Sequence, residues 1–80
     1  MEKVIFYTKE DCLLCDEAFM YLETLQHLHS FQLEVRNIYE NDLWLEKYHL
    51  TIPVIEINQQ QLLGNDMSLV NIEQFITNHI

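Results

Sequence analysis

Val4-Ile5-Phe6-Tyr7-Thr8 runs into Lys9-Glu10-Asp11-Cys12-Leu13-Leu14-Cys15, and this junction decides the fold. Its first five residues are apolar, aromatic or β-branched, the composition of a buried strand. The residues after it take up helical periodicity. Cys15, Ala18, Leu22 and Leu25 fall three, four and three apart, as one stripe. A strand that delivers a Cys-x-x-Cys pair to a helix start is the arrangement thiol–disulfide exchange needs. The thiolate is the reacting form, and a helix N-terminus stabilises it. A second thiol about one turn further on closes a disulfide and releases the partner. The stripe puts Cys15 on the packed face and leaves Cys12 at the exposed start. That makes Cys12 the attacking thiol and Cys15 the resolving one.

Working outward, the first strand spans about Lys3 to Thr8, apolar on both faces as in a central strand. The first helix covers Leu13 to His29. Phe31, Leu33 and Val35 then alternate with Gln32, Glu34 and Arg36, which predicts an edge strand from Phe31 to about Ile38 with one wet face. A short helix follows over Asn41 to His49, capped by Asn41. Pro53 to Ile57 reads as a third strand, since proline is tolerated at a strand's first position. Gln59-Gln60-Gln61 reads as a turn into a short strand Gln61 to Leu63, antiparallel to the third. A last helix, Ser68 to Asn78, should bury Leu69, Ile72, Phe75 and Ile76. The order is β-α-β-α-β-β-α, with the first two strands parallel.

Eighty residues make one domain, 1–80, with a small core. With no set of structural disulfides evident, packed layers must supply the stability. Thirteen acidic residues against four basic ones give a formal net charge of −9. That argues against nucleic acid and anionic membranes, both of which need Lys/Arg clusters. No apolar run approaches a membrane span, and no signal-type segment opens the chain. Retention in the cytoplasm is the expectation. There a close cysteine pair is more often catalytic or metal-binding than structural. A zinc site would need two more ligands. His27 and His29 are the nearest histidines, but residues two apart on a helix point about 160° apart.

The element order and motifs resemble the glutaredoxin branch of the thioredoxin fold across the whole chain: a four-stranded mixed sheet flanked by helices. Tyr7-Thr8-Lys9-Glu10-Asp11-Cys12-Leu13-Leu14-Cys15 resembles the family's Tyr-Ser/Thr-Lys-x-x-Cys-x-x-Cys. Thr51-Ile52-Pro53-Val54 resembles its Thr-Val-Pro, in which the proline is cis. Gly64-Asn65-Asp66 resembles part of its Gly-Gly-x-Asp-Asp. Cys12-Leu13-Leu14-Cys15 is most similar to small glutaredoxin-like proteins with a Cys-x-Leu-Cys pattern.

The resemblance implies a thiol–disulfide oxidoreductase. It would act on protein disulfides or glutathione mixed disulfides and need no cofactor. A low-molecular-weight thiol or a reductase would be the electron donor, with glutathione a candidate co-substrate. A monomer is expected. Lys9 would lower the Cys12 pKa and grip an anionic substrate; the alternative is a solvated lysine. Thr51, Ile52 and Pro53 would border the dithiol, leaving the Ile52 backbone free to pair with an extended substrate. Asn65 and Asp66 would hold the amino end of a glutathione-like ligand, or Asp66 would cap the last helix. Leu13-Leu14 stands where dithiol glutaredoxins have Pro-Tyr, and Leu63 and Met67 stand where a glycine and an aspartate would be. These departures imply weak glutathione preference. Two rival readings stay open: a module that bridges an iron–sulfur cluster between two chains, and a binding adaptor with vestigial thiols.

Overall fold

The computed structural model describes residues 2–80. Four strands form one sheet: β1 (Glu2–Thr8), β2 (Phe31–Asn37), β3 (Val54–Ile57) and β4 (Gln60–Leu62). Their order across the sheet is β2-β1-β3-β4. The β1–β2 pair is parallel, with Phe6 opposite Val35, while β1–β3 and β3–β4 are antiparallel. This is the mixed, thioredoxin-like sheet expected, with β2 at an edge and β1 paired on both sides.

Three α-helices cover the sheet: α1 (Leu13–Gln26), α2 (Asp42–Tyr48) and α3 (Leu69–His79). Alternation along the strands sends neighbouring side chains to opposite layers. Val4, Phe6, Ile55 and Ile57 join the α1 stripe (Cys15, Ala18, Leu22, Leu25) and Ile72, Phe75 and Ile76 of α3 in the larger cluster. Tyr7 and Val54 face the other way and pack with Ile38 and Tyr48, with Ile5, Trp44 and Leu45 against them. Ile52 touches both clusters.

Several boundaries differ from expectation. Helix α1 ends at Gln26 rather than His29. His27 N donates to Thr24 O at 3.2 Å and Leu28 N to Leu25 O at 3.0 Å, so the last turn tightens and Leu28 stays in water. β2 stops at Asn37, whose Oδ1 accepts from Tyr39 N at 3.0 Å and starts a 3₁₀ turn over Ile38–Glu40. The β3–β4 turn is Asn58-Gln59, not Gln59–Gln61. Both residues have positive φ, 50° and 69°. Ile57 pairs with Gln60 across them, the geometry of a two-residue type I′ hairpin. Leu69 is partly exposed rather than buried, because it stands in the first turn of α3 at the margin of the α1–α3 contact.

Asn41 caps α2 as expected, its Oδ1 accepting from Leu43 N at 2.9 Å and Trp44 N at 3.3 Å. Asp66 does not cap α3. Ser68 does, its Oγ accepting from Asn71 N at 3.1 Å, while Asp66 closes a 3₁₀ turn over Gly64–Asp66. Among the described residues no helix is long and apolar enough to cross a membrane.

Candidate active site

Cys12 is the N-cap of α1. Asp11 before it turns the chain with φ 54°, a conformation that aspartate tolerates better than most residues. Cys12 itself is extended, and its Sγ accepts a hydrogen bond from Cys15 N at 3.1 Å. One of the orphan amides at the helix start, that of Cys15, thus points at this sulfur. Cys12 and Cys15 are joined as a disulfide, with Cα atoms 5.2 Å apart, within the range a disulfide spans. Cys15 is 0% exposed and belongs to the core, whereas Cys12 is only half-buried. The asymmetry read from the stripe is present in space.

The Ile52–Pro53 bond is cis, and Pro53 is fully buried. Leu14, Leu50, Thr51, Ile52, Leu63, Gly64 and Asn65 line one small cleft of ≈ 100 Å³. Two separate loops and a helix start therefore meet there. Gly64 N donates to Thr51 O at 2.9 Å. A Cβ built on Gly64 would lie 2.7 Å from both the Thr51 and Ile52 carbonyl oxygens, so this close approach requires glycine.

One expectation needs correcting: the Ile52 backbone is not wholly free. Its N–H donates to Tyr48 O at 3.0 Å, because the α2 turn continues through Thr51. Among the described residues no backbone bond ends on its carbonyl, which alone remains for pairing. Lys9 also lies apart from that cleft. It lines a second groove, of ≈ 340 Å³, with Thr8, Cys15, Asp16, Phe19 and Val35, on the β2 side of the dithiol. Asp66 is exposed and lines neither.

Sequence reasoning passed over a cluster on the opposite face. Arg36, read as part of a wet face, lies over the rings of Tyr7 (5.5 Å) and Trp44 (5.1 Å). It donates to the Glu34 carboxylate and, at 2.9 Å, to the Tyr7 hydroxyl. Tyr7 stacks on Tyr48 with centroids 4.2 Å apart. Burial and Tyr48 push the Tyr7 phenol up, against the pull of Arg36. Lys3, at 2.6 Å, and Arg36 hold the Glu34 carboxyl below its usual range. The signal available was Trp44 and Tyr48, four apart on one helix face beneath Tyr7. Among the described residues no three His, Cys, Asp or Glu side chains group as a metal site.

A helix-capping Cys-x-x-Cys beside a cis-proline loop defines a glutaredoxin-like redox module. The chain belongs to the family described as Glutaredoxin-like domain (DUF836), whose model matches residues 3–78. It is similar to protein Ne2328 from Nitrosomonas europaea, known from a solution structure. The two are 29% identical, with TM-score 0.74, over 92% of this chain and 89% of that one. A structure titled as a malarial protein shares the fold, with TM-score 0.72 at 16% identity, over 98% and 96% of the two chains.

Proposed function

We propose that the protein is a thiol–disulfide oxidoreductase in which Cys12 attacks and Cys15 resolves. The observation that carries this is the placement of the two sulfurs. Cys12 Sγ caps α1 and receives the Cys15 amide, while Cys15 lies beneath it with no exposed surface. With the pair reduced, the same amide and helix end favour the Cys12 thiolate. That thiolate attacks one sulfur of a substrate disulfide and expels the other as a thiolate. Cys15 loses its proton and attacks Cys12 Sγ. The Cys12–Cys15 disulfide forms and the substrate cysteine leaves, so two electrons and two protons pass to the substrate.

An external thiol of low molecular weight, such as glutathione, or a reductase then returns the pair to the dithiol. The chain needs no bound cofactor in this scheme. Thr51, Ile52 and Asn65 border the substrate path, with the buried Pro53 next to Ile52, while Asp66 would reach a substrate only from outside the cleft. Lys9 approaches from the other groove.

The test is mass spectrometry of single-cysteine variants with oxidised glutathione. Cys12→Ser should lose all disulfide reduction. Cys15→Ser should accumulate a mixed disulfide on Cys12 without completing turnover. An adduct on Cys15 in the wild type would reverse the roles.

A further inference from the structure

Leu14 from the first turn of α1, Leu50 from the α2–β3 connection and Leu63 after β4 converge on the cleft beside the dithiol. They are 55%, 86% and 40% exposed. A single exposed leucine needs no explanation. Three from three different elements around one cleft, with Leu13 exposed next to Cys12, form an apolar surface that the fold itself leaves uncovered. The cleft, at ≈ 100 Å³, is well below the roughly 300–1,000 Å³ of a small-molecule pocket. It suits one side chain of an extended segment rather than a whole tripeptide.

The surrounding charge selects further. Glu10 and Asp16 line the groove on the other side of Cys15, together with Thr8 and Lys9, while Asp11 directly precedes Cys12 and Asp66 follows Asn65 of the cleft. None of these four acidic residues is in an ion pair among the described residues. Their carboxylates oppose formation of a thiolate, and a cation brought in by the substrate would offset them. The Ile52 carbonyl offers an acceptor to the backbone of such a segment.

We infer that the cleft takes a protein segment whose reactive cysteine has an apolar neighbour and a nearby lysine or arginine. The anionic glutathione moiety is a poor occupant. This rests on the reading of Cys12 as the attacking thiol. The Cys12 thiolate bonds to the segment's cysteine sulfur and the bond to that cysteine's former partner breaks, the partner leaving as a thiolate that takes up a proton. Cys15 then displaces the segment's cysteine as a thiol. The reduced protein supplies both electrons.

The experiment is single-turnover reduction by pre-reduced, desalted protein. The substrates are short peptides with one cysteine disulfide-linked to 2-mercaptoethanol. One peptide has leucine beside the cysteine and a lysine two places away. A second replaces the leucine with serine, a third replaces the lysine with glutamate, and a fourth substrate is the glutathione–mercaptoethanol disulfide.

The leucine–lysine peptide should react about tenfold faster than its serine analogue, and faster than both the glutamate peptide and the glutathione adduct. In Leu50→Ser/Leu63→Ser, whose changed side chains lie on the surface, the leucine-to-serine ratio should fall towards one while circular dichroism stays that of the wild type. Equal rates for the leucine and serine peptides, or a ratio unchanged in the variant, overturn this inference alone. Failure to reduce any of the four disulfides overturns it together with the assignment of Cys12.

Discussion

Glu34 lies between two cations on the outer strand, with Lys3 on one side and Arg36 on the other. Both hold its carboxylate charged, so its pKa in the folded chain is below that in the unfolded chain. A depressed pKa stabilises the fold above the unfolded value, and this contribution disappears as the pH falls through the folded one. Glu34→Gln should therefore be less stable than the wild type at about pH 7, by no more than about 1 kcal/mol for pairs this exposed. Once the pH has fallen below the lowered folded-state pKa the gap should close, and urea unfolding of both proteins at neutral pH and across the acid range measures it. A gap of the same size throughout would assign the loss to packing instead. The cysteine roles were legible because one helix period separates an exposed start from a buried stripe. The role of Arg36 was not. Its neighbours on Tyr7 and Trp44 come from different elements, and alternation within β2 says only that it points away from Phe31.

The β3–β4 hairpin turns on Asn58 and Gln59, both in the left-handed region. Asparagine adopts it at small cost, while glutamine has no local hydrogen bond to offset its Cβ. Glycine is the favoured residue at the second position of this turn. Gln59→Gly should stabilise the protein by a few tenths to about 1 kcal/mol, the relief of strain exceeding the added entropy of the unfolded chain. A melting temperature a few degrees above wild type is the expected result. An unchanged or lower value would mean that Gln59 carries no strain. The same turn shows where sequence reading slips at this scale. With a single glycine in the chain, Asn58 alone hints at a positive φ, so three successive glutamines looked like the loop. Strand and helix identities came through because burial periodicity announces them. Caps came through where Asn41 stood before a helix, but Ser68 took the place given to Asp66.

The chain carries a formal net charge of −9, and its field reaches about one Debye length into solvent. Oxidised glutathione, itself anionic, should be reduced faster as salt is raised. Going from about 0.02 to 0.2 M ionic strength should increase its second-order rate constant by about two- to fivefold. A neutral disulfide of similar size, such as that of 2-mercaptoethanol, should hardly respond. A fall in the glutathione rate with salt would instead show that a local cation, Lys9 foremost, governs the encounter. The architecture and the charge were open to reading from the chain, because they are sums over many residues. The apolar cleft was not, since Leu14, Leu50 and Leu63 lie far apart in sequence and become neighbours only when the sheet is assembled.

The contact between Gly64 and the Thr51–Ile52 carbonyls has a further consequence for how the chain can vary. Nineteen of the twenty residues coded by genes bring at least a Cβ, and that atom alone is enough to push the two loops apart. The leucines around the cleft end in flexible side chains at the surface and can be exchanged without moving any backbone. Specificity is thus free to drift through Leu14, Leu50 and Leu63 while the frame holding them stays fixed by one hydrogen atom at position 64.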